Sequence, residues 1–326
     1  LVGSEMCIRD SYHFGHGNAG LKMITEIPTS DEFGSAAYAQ LDFAWDIVIS
    51  FMTTLDEAGQ YIEVEKDDEL QFWEAARQRI LTSLIIAQQG VELAIKGKLV
   101  AFSPYLLIGS PSDWPKDKTG KGVEFSEFKT IDAQDLIKAY NMVSPTSFDP
   151  KFVDLFERVR KLRNSAMHSV NAKLRISPKE VILIILEAHE HLYPNQSWVQ
   201  ARREFLFSAP AAQVYFDNDH LDGMLVREFL AVFNLLSKTE RERFFDVTAG
   251  VRKYICPACR YHSLEIDGPP PQYAVLKPNK PKSTTLWCFV CNDTHLVERV
   301  HCSNAACKGN VISEEYGYCC TCGEDQ

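Results

Sequence analysis

Residues 150–170 read PKFVDLFERVRKLRNSAMHSV, and the reading of this stretch decides the fold. Set on a helical wheel at about 100° per residue, Leu155, Val159, Leu162, Ala166 and Val170 fall in one narrow arc, the stripe that an amphipathic helix buries. Glu157, Lys161, Asn164 and His168 take the opposite side, where Asn164 and His168, four apart, are neighbours. A single histidine is most often a satisfied core residue, but the wheel sets His168 away from the core. It is then either a plain surface histidine or a working one. Arg163 falls at the edge of the apolar arc, about 140° from His168 on a straight helix. It reads either as a structural arginine paired inside a bundle or as a partner of His168. For the two to meet at one point, a bend near Asn164, the length of the arginine or a second subunit must close the gap.

Helical signals continue on both sides of this stretch. Residues 34–58 space Ala37, Leu41, Ala44, Ile47, Val48, Phe51 and Leu55 helically. Residues 67–100 do the same with Ile80, Leu84, Val91, Ala94 and Ile95 among others. Residues 101–128 break the pattern with Pro104, Pro111, Pro115, Gly120 and Gly122, which predicts a long loop. Its Lys116, Lys118 and Lys121 are either solvated or within reach of an anion. Thr130 or Asp132 can cap a helix reaching Val143. Ser177-Pro178-Lys179-Glu180 joins a capping box to a proline at the first helical position, ahead of an apolar helix over 181–192. Residues 221–236 read as a helix. Ser237-Lys238-Thr239-Glu240 is a second box, before a helix expected to run to about Tyr254. With no period-2 pattern ahead of the cysteines and no internal repeat, the first 250 residues are expected to be all-α.

Arg163-Asn164-Ser165-Ala166-Met167-His168 matches the R-x4-H motif of the HEPN superfamily, with a polar residue directly after the arginine. Gly90-Val91-Glu92-Leu93-Ala94-Ile95-Lys96 resembles the G-[IV]-E-L-x-[IL]-K segment of that superfamily's long earlier helix. The resemblance spans roughly residues 35–194. It implies a metal-independent ribonuclease built from dimeric helical bundles, with RNA as substrate. In that reading His168 serves as acid or base, since its unperturbed pKa is about 6.5, and Arg163 holds the phosphoryl oxygens. Asn164 orients the imidazole or donates to phosphate. Glu92 sits at a position often acidic in such domains, and serves the site or ties Lys96 on its own helix. Toxins of the superfamily that carry R-x4-H-x-Y are modified on the tyrosine; here that position is Val170, so that control is not expected. Many HEPN-like domains also act as binding modules without activity.

Nine of the ten cysteines lie between Cys256 and Cys322. Cys256-x2-Cys259 and Cys288-x2-Cys291 form one set of four thiols, and Cys302-x4-Cys307 with Cys319-x2-Cys322 a second. Paired knuckles of this kind suit tetrahedral Zn²⁺, so two structural zinc ions are expected. Sequential pairing needs only short loops; a crossed pairing would join the first and third knuckles. Cys320 is left over and could replace Cys319, while His262, His295 and His301 are spare donors. A disulfide framework is the competing reading, against which stand the absence of a visible secretory segment and the lack of cysteines elsewhere in the body. Trp287, Phe289, Tyr316 and Tyr318 either stack on bases or fill a small core, and core filling is favoured. A region this poor in apolar runs is expected to depend on metal.

Residues 1–11, LVGSEMCIRDS, resemble the translation of a transposon-type sequencing adapter and are set aside, Cys7 with them. Apolar residues at 45% and aromatics at 11% can fill a core. No run approaches the ~18 apolar residues of a membrane span, so a soluble, cytoplasmic protein is expected. The net charge of −10 argues against broad nucleic-acid binding. Residues 251–326 carry eight basic and eight acidic side chains, so the excess lies earlier. Within that acidic part, Arg158, Arg160, Lys161, Arg163, Lys173 and Arg175 form a one-signed run, which either meets an anionic partner or pairs with acids in the fold.

The expected organisation is mainly α: a HEPN-like helical bundle over 12–200, a helical connector over 201–254, and a zinc-stabilised ribbon region over 255–326. The expected function is an endoribonuclease acting as a homodimer, in a defence or toxin setting by family analogy, with a zinc tail that binds nucleic acid or protein. The alternatives are a non-catalytic HEPN-like interaction module and a zinc-dependent nucleic-acid-binding regulator.

Overall fold

The computed structural model describes residues 24–117, 121–168, 175–214, 218–262 and 272–326, without the side chains of Gln60, His168, Ala211, Asn218, Asp219 and His262. Two long helices organise the chain, α1 (Ser30–Tyr61) and α2 (Lys66–Val100). Thr29 starts α1 with a full capping box, its side chain accepting from the Glu32 N–H while the Glu32 carboxylate takes the Thr29 N–H. The two helices run side by side as a hairpin. Ala37, Leu41, Ala44, Trp45 and Val48 face Ala76, Ile80, Leu84, Ala87, Val91 and Ile95 across it, all buried. Gly90 marks the closest approach: a Cβ there would sit 3.0 Å from Leu41 Cγ and 3.1 Å from the Ala37 carbonyl oxygen. The glycine that opens the G-V-E-L-A-I-K segment is thus a packing requirement of this hairpin.

After a long connection come α3 (Ala133–Val143), α4 (Pro150–His168) and α5 (Pro178–Leu192). Both α4 and α5 pack on α2, and α5 also on α1. The capping box at Ser177 and Glu180 is present as expected. The connection is not wholly irregular. A two-residue parallel ladder joins β1 (Ile24–Thr25) to β2 (Val123–Glu124), which the all-α expectation did not include. Two-residue strands leave no alternation to read.

The next three helices are α6 (Trp198–Ser208), α7 (Asn218–Leu235) and α8 (Lys238–Phe245). Helix α8 keeps the Ser237 capping box but stops at Phe245, well short of Tyr254. Asp246 takes a left-handed conformation at φ 53, and Val247 is buried beside it, so the chain turns to fill the core instead of continuing the helix.

Tyr254 begins an antiparallel meander: β3 (Tyr254–Ile255), β4 (Gln272–Leu276), β5 (Thr285–Cys288), β6 (Asp293–Glu298) and β7 (Ile312–Ser313), in that spatial order. A short helix, α9 (Pro257–His262), follows β3 and packs on α7. The sheet and the helices share one apolar core. Phe289 lies against Phe245 (4.6 Å between ring centroids), Phe233 (5.6 Å) and Tyr273 (5.5 Å), and the Tyr273 hydroxyl donates to the Val226 carbonyl at 2.9 Å. Among the described residues no helix is long and apolar enough to cross a membrane.

Candidate metal centres and the Arg163 region

The eight cysteines converge in two groups, Cys256 with Cys259, Cys288 and Cys291, and Cys302 with Cys307, Cys319 and Cys322. Within each group all sulfurs lie within 4.8 Å of one another. Cys256 to Cys291 and Cys259 to Cys288 are 3.6 and 3.7 Å apart; Cys302 to Cys322 and Cys307 to Cys319 are 3.7 and 4.0 Å. A tetrahedron with metal–sulfur bonds of about 2.3 Å has edges near 3.8 Å, so both groups have the size of a metal-binding tetrad. The grouping is sequential. Each centre draws on two stretches of the meander: the β3–α9 junction and α9 with the end of β5 and its turn into β6 for the first, and the two loops flanking β7 for the second.

Local sequence explains how the second tetrad closes. Gly309 lets the chain pass beside Cys319, where a Cβ would fall 2.7 Å from the sulfur. Its N–H donates to the Cys307 sulfur at 3.2 Å, and Gln326 donates to that of Cys302 at 3.4 Å. Composition and spacing gave no sign of Gly309, because its role depends on what the fold brings alongside.

Cys320 joins neither group. It is fully buried, its backbone pairs with Val311 and Ile255, and burial pushes its thiol up to about 12. Of the spare histidines, His295 lies 3.4 Å from the Cys256 sulfur and 3.5 Å from that of Cys291 through Nε2. His301 is exposed, and the side chain of His262 lies outside the described residues. Phe289 and Tyr318 are core residues. Trp287 is half-buried under the Lys277 ammonium, and Tyr316 stacks on Tyr261.

On α4, Phe152, Leu155, Phe156 and Val159 are buried, and Leu162 and Ala166 pack on the core at partial burial. Arg163 follows one turn after Val159 and is half-buried. Its Nη1 donates to Asn164 Oδ1 at 3.0 Å, and its Nε is buried with no partner among the described residues. His168 closes the helix; its side chain, with Val170 and Lys173, lies outside the described residues. Glu92, on the face of α2 toward α4, accepts from Gln88, and its charge raises the pKa of Arg160 together with the larger effect of Glu157. It does not tie Lys96, whose ammonium donates to Thr130 at 3.2 Å.

Much of the one-signed run pairs within the fold: Arg158 with Glu187, Arg160 with Glu157, and Arg175 with Glu74. Lys161 stays exposed, beside a shallow groove that also takes in Asp154, Arg158 and Ser165. No family model, no curated protein and no solved structure matches this chain.

Proposed function

We propose that this chain is an endoribonuclease of HEPN type that cuts RNA without a catalytic metal, and that its two cysteine tetrads hold structural zinc. The observation that supports the catalytic reading is the state of Arg163. Its guanidinium is oriented by Asn164 and half-buried at the end of α4, while its Nε has no partner among the described residues. An oriented guanidinium that stays partly exposed suits a phosphoryl group, whose oxygens gain charge as the ribose 2′-hydroxyl attacks. His168, five residues on, removes the hydroxyl proton or protonates the leaving oxygen. Asn164 positions Arg163, and Glu92 acts on the same helix through its charge on Arg160. The ~140° between Arg163 and His168 is met by a second subunit, so the active species is a homodimer. The thiolate tetrads favour zinc through soft ligands in closed tetrahedral sets, and they brace the tail for contact with nucleic acid or protein.

The test is cleavage of RNA in excess chelator over a short assay. Products ending in 2′,3′-cyclic phosphate are expected from a species of twice 36.9 kDa by light scattering. His168→Ala lowers the rate by roughly 10²–10⁴, and Arg163→Ala is comparably severe. If no RNA is cut, or neither substitution changes the rate, a non-catalytic interaction module replaces this reading.

A further inference from the structure

The two tetrads meet their surroundings differently. Four thiolates around a divalent cation leave two negative charges in excess, and a buried charge needs donors. At the second centre the Gly309 N–H and the Gln326 amide donate to sulfur. At the first, where Cys256 and Cys288 are fully buried and Cys259 nearly so, His295 is the side chain within reach among the described residues.

Strand β6 alternates so that His295 and Val297 turn inward while Thr294 and Leu296 stay exposed. That alternation delivers Nε2 to the edge of the tetrad joining Cys256 and Cys291, at 3.4 and 3.5 Å from the two sulfurs. Both distances suit an N–H donating to sulfur. Cys291 is the least buried thiol of the four, so this edge is the one open to a competing chelator.

We infer that His295 is a positioning residue of the first centre. Its Nε2–H is shared between the Cys256 and Cys291 thiolates, and the imidazole closes the exposed edge of the tetrad, so that the ion leaves slowly. This rests on the zinc reading above and adds to it a residue outside the tetrad that sets metal retention. Groups that hold and orient metal ligands from outside typically contribute 10–100-fold in affinity.

The experiment follows zinc release from the full-length protein to a chromogenic chelator, with zinc content measured first. Wild type should release two ions in two phases. His295→Ala should speed one phase about 10–100-fold and leave the other unchanged. His295→Gln, which places an amide N–H near the position of Nε2, should recover much of the slow release. Equal rates in all three proteins overturn the inference, and so does a Gln variant as fast as the Ala variant. A wild-type protein that carries no zinc overturns the metal reading itself, which keeps the two failures apart.

Discussion

His189, on α5, is almost wholly buried among Tyr38, Tyr193 and Trp198, and its Nε2 has no partner among the described residues. Burial lowers its pKa to about 4, because the charged ring has no solvent. The folded value lies below the unfolded one of about 6.5, so the stability tied to the neutral ring is complete above pH 6.5 and is lost as pH falls toward 4. Asp42 works the other way. Burial pushes its carboxyl up to about 7 against the pull of Arg202, so it favours the fold at low pH and less so as pH rises from about 4 to 7. A comparison of wild type with His189→Phe cancels the Asp42 effect, since both proteins carry it. Denaturant unfolding between pH 7 and pH 4 should show the wild type losing up to roughly 3 kcal/mol relative to the variant. A pH-independent difference would count against a neutral buried imidazole.

At the scale of elements, the decisive junction is the turn after β5. Phe289 follows directly on the tetrad cysteine Cys288 and lies in a pocket made by α7, α8 and β4. Phe229 and Phe233 come from α7, which also packs on α1, and Phe245 ends α8, so this ring helps to fasten the knuckle to the helical body. Phe289→Ala removes that ring from a close-packed aromatic cluster and should cost about 3–5 kcal/mol. Thermal unfolding monitored by helix content should move together with exposure of the cysteine thiols. Separate transitions for helices and thiols would show that the knuckle and the body do not share a core energetically.

For the molecule as a whole, the two tetrads and Cys320 give a count that composition alone cannot. Elemental analysis should find two zinc ions per chain. Cys320→Ser should keep both, because the Cys320 thiol faces the apolar core and not a tetrad. Cys256→Ser should keep one, because its sulfur is a corner of the first group only. Loss of metal from the Cys320 variant would mean that the grouping differs in solution. Charge at this scale is also resolved by the fold. Arg202, almost wholly buried on α6, is held by Asp42, Asp46 and Glu228, with Glu228 gripping it through two oxygens at 2.8 and 3.0 Å. Some of the chain's charged side chains are therefore paired inside the fold.

Several features were legible in the residues themselves, since they rest on local rules. The helical spans of α1, α2, α4 and α5, the capping boxes at Ser177 and Ser237, and the sequential grouping of the eight cysteines follow from periodicity, cap chemistry and ligand spacing. The Ser197 cap that opens α6 was equally local, with its hydroxyl accepting from the Gln200 N–H, and could have been read from Ser197-Trp198-Val199. Other features required the tertiary structure. The end of α8 at Phe245, the internal pairing of Arg158 and Arg175, the burial of Cys320 and the closeness of Gly309 to Cys319 each depend on residues distant in the chain. Local chemistry determines which elements form and which ligands lie within a loop's reach. Only packing decides which side chains are neighbours across elements, and that is what brings Arg160 under the charge of Glu92 on α2 and His295 to the edge of the first tetrad.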